Sequence, residues 1–211
     1  MNASEVAAAL DEGAVILDLR SPRPFTTEYI PGALTMQFNR ADLAERAELM
    51  LPRELRIIVH AEPEPIAKAA VDILRGAGFT VEGHLAGGLK AWKEAGRPTA
   101  SLPVIGVDEL HAAREHYTVI DARERYEYKH AHIGDAILLP PGDAWERGEE
   151  IAGQIAPSRV LAVVCGDQTR SAYVASIMRR RGHDTVLVMG GMVDWLERGY
   201  PTERAGAEPA R

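Results

Sequence analysis

The stretch VILDLRS, residues 15–21, returns as VIDARER, residues 119–125. Asp18 falls on Asp121, an offset of 103 residues. Ile30 falls on Ile133, Gly87-Gly88 on Gly190-Gly191 and Trp92 on Trp195, all at the same offset of 103. Gly96-Arg97-Pro98 falls on Gly199-Tyr200-Pro201 in the same register. One matched pair is weak evidence; this many in one register identify a duplicated unit. Only the middle slips, because His60 occupies the place of Cys165 at an offset of 105. A two-residue length change between the second and third strands, later reversed, accounts for that slip.

Each copy alternates strand and helix. Asn2 with Glu5 three residues on forms a capping-box pattern for a first helix. AVILDL, GALTM, RIIVH and FTV read as strands, with helical spacing at 40–49, in IAKAAVDILRGAG and in GGLKAWKEAG. The second copy repeats this with VDELHAAREH, TVIDA, AILLP, a helix near 148–155, RVLAVVC, RSAYVASIMRRRG, TVLVM and GGMVDWLERG. The expected fold is α/β: two tandem units, each a mostly parallel central sheet with helices on both faces. The units are expected at 1–100 and 104–201, joined by the short Pro-containing stretch 97–105, with a disordered tail over 202–211.

The 211 residues are 46% hydrophobic and 26% charged, an ordinary globular composition that excludes a disordered or collagen-like chain. Lys and Arg number 24 against 31 Asp and Glu, a formal charge of -7. Such a balance argues against nucleic acid or an anionic membrane as partner. No apolar run approaches the ~18–20 residues of a membrane span, and the N-terminus has no basic stretch before an apolar one. One cysteine cannot form an internal disulfide or a multi-thiolate zinc site, so the expected compartment is the cytoplasm, with no metal and no cofactor.

The chemistry concentrates in VLAVVCGDQTRSAYVASIM. A buried strand ends at Cys165, and a helix follows after a short loop. Parallel α/β folds place their sites at the carboxyl ends of strands. Gly166, Asp167, Gln168, Thr169, Arg170 and Ser171 include no proline, so each offers a backbone N–H that could converge on the sulfur. The helix start and the Arg170 charge add to this, and all three favour thiolate over thiol. The same loop could hold a persulfide, whose charge lies one atom further out. Arg123 and Arg125, after the first core strand of this copy, are candidates for a donor's oxyanion, the alternative being ion pairs with Glu124 or Glu127. Asp167, two residues from the sulfur, should repel an anionic donor unless it points to solvent.

In this order and spacing the motifs resemble those of tandem rhodanese-domain proteins, a sulfurtransferase family. Asp121-Ala122-Arg123-Glu124 resembles the family's Asp-x-Arg-Glu motif. His132-Ile133-Gly134-Asp135-Ala136 resembles Gly-His-Ile-Pro-Gly-Ala, with Ala131, Gly134 and Asp135 departing from it. Cys165 and Arg170-Ser171 match the Cys-x-x-Gly-x-Arg-Ser loop, except that Gln168 replaces the usual Gly. Gly190-Gly191 and Trp195 match Gly-Gly-x-x-x-Trp. The resemblance implies that Cys165 takes a sulfane sulfur from a small donor such as thiosulfate and passes it to cyanide or a thiol, with a protein acceptor also open. A persulfide carrier or regulatory sulfur-binding module is the alternative. Cysteine phosphatases use a longer Cys-x5-Arg loop, against Cys-x4-Arg here.

The first copy has lost this chemistry. Its loop reads His60-Ala61-Glu62-Pro63-Glu64-Pro65-Ile66, with His60 in the nucleophile's place. Pro63 and Pro65 remove N–H donors, and Glu62 and Glu64 add negative charge. This copy is expected to be degenerate and inactive. His130 and His132 lack a metal-binding spacing, and Arg179-Arg180-Arg181 suit the C-terminal end of a helix dipole.

Overall fold

The computed structural model describes residues 1–155 and 159–204. The chain divides into two units between Leu102 and Pro103. The first contains strands β1 (Val15–Asp18), β2 (Leu34–Thr35), β3 (Arg56–His60) and β4 (Thr80–His84), all parallel, in the order β2-β1-β3-β4. Its helices are α1 (Ala3–Asp11), α2 (Pro22–Thr27), α3 (Leu43–Met50), α4 (Glu64–Gly76) and α5 (Gly88–Glu94). The second contains β5 (Val104–Gly106), β6 (Tyr117–Asp121), β7 (Ile137–Leu138), β8 (Val160–Val164) and β9 (Thr185–Met189), parallel, in the order β5-β9-β8-β6-β7. Its helices are α6 (Val107–Ala112), α7 (Arg125–His130), α8 (Pro141–Gly153), α9 (Thr169–Arg180) and α10 (Gly191–Glu197). The two parallel sheets and their flanking helices are the α/β architecture expected from the alternation. Among the described residues no helix is long and apolar enough to cross a membrane.

Successive side chains of a strand face opposite sides of a sheet. Ala162, Val164, Val186 and Val188 therefore share one face, where they pack with Val107 and Leu110 of α6 and Met192 and Trp195 of α10. Leu161, Val163 and Leu187 face the other side. There α9 buries Ala172 to Met178 without a break, so it is covered on nearly all sides. A parallel strand buried on both faces needs a continuous apolar run, which VLAVV supplies.

The duplication extends to individual bonds. The Arg20 guanidinium grips both oxygens of buried Asp18 and donates from Nη2 to the Glu28 carbonyl at 2.7 Å. Arg123 does the same to Asp121 and donates to the Ala131 carbonyl at 2.6 Å. Trp92 Nε1 donates to the Pro98 carbonyl at 2.8 Å, and Trp195 Nε1 to that of Pro201 at 2.9 Å.

Three expectations about extent change. Val104–Gly106, overlapping the end of the stretch read as a joint, is an edge strand whose residues register with Leu187–Met189. Helix α8 starts at Pro141 rather than near 148, because proline suits the first helical turn. The tail does not fray at 202: Glu203 N donates to the His132 carbonyl at 2.8 Å, and His132 N to that of Glu203 at 2.9 Å. This bridge repeats the one between Tyr29 and Ala100 in the first unit. The rest of the expected tail, 205–211, lies outside the described residues.

The slip in the middle of the repeat resolves into single steps. Asp18 registers with His60, and Asp121 with Val164, so the third strand runs at an offset of 104. His60 therefore matches Val164, and Ala61 stands in the place of Cys165. The offset reaches 105 only at the helix starts, Glu64 and Thr169, so the loop itself is one residue longer in the second unit. A register shift in β4, between the partners of Ile57 and Ile58, completes the return to 103. His60 is thus a core position and not a displaced nucleophile. It is fully buried, and neither ring nitrogen has a hydrogen-bond partner among the described residues.

Burial pushes the His60 pKa below 6.5; Arg20 adds to the drop, while Asp18 and Glu62 oppose it. A base held neutral in the fold binds its proton more readily in the unfolded chain. The stability of the first unit is then fully present above about pH 6.5 and falls as the pH drops below it, by at most about 1.4 kcal/mol per pH unit. Urea unfolding at several pH values should show this slope, and His60→Val should remove it. A variant that keeps the same slope would assign the titration to another group.

Candidate active site

Cys165 follows the last residue of β8 and is fully buried. Val164 faces α10, so Cys165 turns its side chain toward α9. Its Sγ lies 3.2 Å from Ser171 Oγ on the first turn of that helix. The Gln168 backbone N–H donates to Sγ at 3.1 Å. Ser171 Oγ also lies 3.2 Å from the Gln168 carbonyl. The hydroxyl can therefore accept from a thiol while donating to that carbonyl, or donate to a thiolate.

The other end of the cradle is the glycine pair. Met192 N donates to the Cys165 carbonyl at 2.7 Å. Gly191, at φ +58, brings α10 so close that a Cβ there would overlap the Cys165 carbonyl oxygen and lie 2.9 Å from that of Gly166. Gln168 adopts φ +77, the left-handed region that costs a non-glycine residue about 1–2 kcal/mol. Its amide offsets this: with its carbonyl toward the glycine pair it accepts from Gly190 N at 3.2 Å and donates to the Asp167 carbonyl at 3.0 Å.

Electrostatics around the sulfur differ from the expected convergence of donors. Gln168 supplies the one backbone N–H bonded to Sγ among the described residues. The N–H of Thr169 is taken instead by the Asp167 carboxylate, at 3.2 Å, and that carboxylate lies 3.9 Å from Sγ. Asp167 is exposed, yet its carboxylate is drawn back to the Thr169 amide at the start of α9. Arg170 turns to Glu127 of α7, with Nη1 donating to Oε2 and Nη2 to Oε1, the latter at 3.0 Å. The Arg170 hydrogen bond, more than its charge, holds the Glu127 carboxyl below the usual carboxylate range, and Glu127 raises the Arg170 pKa. The pair persists until the pH falls below that of an ordinary glutamate.

Of the loop residues expected around Cys165, Gln168, Ser171 and Asp167 approach the sulfur, whereas the Thr169 N–H and the Arg170 guanidinium are engaged elsewhere. Arg123 does not join them. It is nearly fully buried and its guanidinium is committed to Asp121 and the Ala131 carbonyl, so its expected role as an oxyanion ligand is replaced by a structural one. Among the described residues neither Glu124 nor Glu127 lies within ion-pair distance of it. Arg125 is exposed at the start of α7, the helix that carries Glu127. Glu127, as the partner of Arg170, is the residue that sequence reasoning missed, and Gly191 was read only as part of a motif. The signal for Glu127 was the Glu-x-x-Glu capping pattern, which the structure shows as Glu124 N donating to Glu127 Oε2 at 3.0 Å.

The loop of the first unit has no such cradle. Only residues 61–63 separate β3 from α4, against 165–168 between β8 and α9. Ala61 replaces the cysteine and Pro65 has no N–H. The Glu62 carboxylate lies 3.9 Å from His60 Nε2.

A duplicated parallel α/β unit whose central strand ends in a buried cysteine, cradled by the next helix and a glycine pair, defines the class. The family model for the rhodanese-like domain matches residues 2–95 and 106–198, and the chain belongs to that family. A putative sulfur carrier protein of Bacillus subtilis is 26% identical over 110 residues, 50% of this chain and 57% of that protein. A tRNA sulfurtransferase of Thermoplasma acidophilum is 41% identical over 64 residues, 30% of this chain and 12% of that protein. The chain thus spans little more than half of the first relative and a small part of the second. Among solved structures, the Alr3790 protein of Anabaena sp. is 34% identical, covering 48% of this chain and 82% of that one, with a TM-score of 0.43. A thiosulfate sulfurtransferase of Pseudomonas aeruginosa is 22% identical, covering 97% of this chain and 43% of that one, with a TM-score of 0.42.

Gly191→Ala should force the Cys165 carbonyl off the Met192 amide. Left-handed strain and overlap together should cost about 2–5 kcal/mol in urea unfolding. Gly182→Ala, at φ +86 with nothing within 4 Å of its Cβ, should cost the strain alone. Equal losses in the two variants would show that the close approach is unimportant.

Proposed function

We propose that the second unit is a sulfurtransferase in which Cys165 carries the sulfur. The observation that supports this most directly is the pair of hydrogen-bonding groups on Sγ, Gln168 N at 3.1 Å and Ser171 Oγ at 3.2 Å, at the end of a buried strand. The thiolate attacks the outer sulfur of a donor R-S-S⁻ or of thiosulfate, forming Cys-S-S⁻ and expelling a thiolate or sulfite. A thiophilic acceptor, cyanide or a thiol, then attacks the outer sulfur and regenerates the Cys165 thiolate. No net oxidation is required and no cofactor enters. The relatives, a putative sulfur carrier and a tRNA sulfurtransferase, support sulfur transfer in general.

The electrostatics bear on the donor. Asp167 stands 3.9 Å from Sγ and Glu127 neutralises Arg170, which leaves Arg125 and Lys129 as exposed cations on α7. A doubly charged thiosulfate gains less from such a mouth than a thiol-borne or protein-borne sulfur does. This favours a protein or thiol partner and keeps the persulfide carrier as the second reading. The phosphatase reading is disfavoured, because Arg170 is held by Glu127 in a loop already short for phosphate. The first unit is the inactive copy, and a cytosolic location suits a lone thiol that must stay reduced.

After treatment with thiosulfate, a persulfide or a polysulfide, intact-mass measurement should show the gain of one sulfur atom, lost on adding cyanide. Cys165→Ser should gain none; loading that persists in that variant would overturn the assignment of Cys165. Turnover with cyanide separates an enzyme from a carrier that loads only once.

Ala61→Cys in a Cys165→Ser background should remain at least roughly a hundredfold below the parent in thiocyanate production. The new thiolate would lack the hydrogen bonds made by Gln168 and Ser171, each charge-assisted bond being worth about 1.5–3 kcal/mol. Activity within about tenfold of the parent would show that those bonds do little.

A further inference from the structure

A second polar cleft lies in the same unit, at the opposite end of the sheet. Cys165 follows the C-terminal end of β8, whereas Arg159 precedes its first residue. Five strand residues separate them, about 20 Å along the strand. The cleft has a volume of about 490 Å³ and is lined by Arg114, Arg159, His111 and Trp195, with Glu115 and Asp135 also on its wall.

Two guanidinium groups converge there on one carbonyl. Arg114 Nη1 donates to the Tyr117 carbonyl at 3.0 Å, and Arg159 Nη2 donates to the same oxygen at 2.6 Å. Arg114 Nη2 goes to the Gly134 carbonyl at 2.5 Å, and Arg159 Nε to Thr118 Oγ1 at 3.3 Å. Every one of these acceptors is uncharged. Among the described residues neither arginine has a carboxylate within ion-pair distance, although both are half-buried. Glu115 pairs instead with His116, at 3.4 Å. Each guanidinium has five N–H donors, so unused donors remain on both. Burial and the neighbouring Arg159 push the Arg114 pKa down, opposed by the charge of Asp135.

Two like charges held together with no carboxylate in ion-pair contact, and Asp135 only nearby, cost the fold energy unless something neutralises them. The first unit shows the neutralised case at the same sheet end. There Arg56 is bracketed by Glu82 at 2.6 Å and Glu12 at 3.3 Å. The counterparts of Arg114 and Arg159 are Asp11 and Leu55, so the paired cations belong to the second unit alone.

We propose that this cleft binds a phosphate group between Arg114 and Arg159, at a site separate from Cys165. Planar forks with spare donors suit a tetrahedral oxyanion, which can accept from both at once. The volume leaves room for the body of a monoester beyond the phosphate, against Trp195 and His111. The inference does not depend on the sulfur chemistry.

The test is an amide NMR titration of the whole chain at fixed ionic strength, with inorganic phosphate in one arm and glycerol 3-phosphate in the other. Saturable shifts should centre on the amides of Tyr117, Gly134 and Arg159. Tighter binding of glycerol 3-phosphate would identify a monoester, and equal binding the free ion; both support the site. Arg114→Gln with Arg159→Gln should weaken binding at least tenfold, and Arg159→Lys, which keeps the charge, by less. Where the double variant does not fold, Arg159→Gln alone should still weaken binding severalfold. The proposal is overturned if neither ligand saturates by tens of millimolar. It is equally overturned if the shifts are confined to 165–171, or if folded variants bind as the parent does.

Discussion

The Cys165 carbonyl accepts the Met192 amide at 2.7 Å, and Gly191 leaves the space that this bond needs. The bond ties the end of β8 to the start of α10 and fixes the peptide after the cysteine. With the carbonyl held on that side, the side chain turns to α9. The chain must then leave the strand, pass the sulfur and enter a helix within four residues. It does so by placing Gln168 in the left-handed region, which aims the Gln168 N–H at Sγ and starts α9 at Thr169. The glycine pair is therefore the constraint on which the geometry of the sulfur depends, although neither glycine touches the sulfur.

Charge is distributed around this geometry in a restrained way. The exposed Asp167 carboxylate accepts from the Thr169 amide at the start of α9, a favourable place for negative charge at the positive end of a helix dipole. That bond also brings a negative charge near the sulfur. Arg170 could compensate, but Glu127 holds it in a two-pronged pair. The pair is partly exposed, so its contribution to stability is modest. Its larger effect is on position: it joins α7 to the loop and keeps the guanidinium from collapsing onto the sulfur. A ligand that competes for Arg170 must first displace Glu127.

The parallel α/β fold and its duplication were legible because both rest on short-range regularities: buried apolar runs, the Asp-x-Arg repeat and the paired glycines. Cys165 and its loop were legible for the same reason. What escaped depended on register. An offset counted from His60 to Cys165 makes the histidine look like a substituted nucleophile; sheet pairing assigns that place to Ala61. Arg123 looked available because its neighbours in sequence are glutamates, whereas its partner is the buried Asp121 two residues back. Glu127 is separated from Arg170 by 43 residues, and no local pattern links them. The edge strand at 104–106 is too short to carry a periodicity; it exists because β9 offers an unpaired edge. The anchor at Glu203 could have been read from the repeat, since Ala100 sits at the same offset.

The two units show which bonds belong to the scaffold and which to the chemistry. Asp18–Arg20 and Asp121–Arg123 are superimposable in pattern, down to the carbonyl that each arginine reaches eight residues on. Trp92 and Trp195 each close on a proline carbonyl six residues on. These contacts survive in both copies because each satisfies a buried polar group, and losing one leaves a cost that no substrate can offset. The loop residues satisfy no such requirement. In the first unit one residue fewer, with an alanine, a glutamate and a proline, still connects β3 to α4, and Glu64 turns to Lys68 and His84. Connection alone therefore tolerates wide variation in this loop. Holding a sulfur does not: it requires the extra residue, a left-handed turn and a free N–H at one particular place.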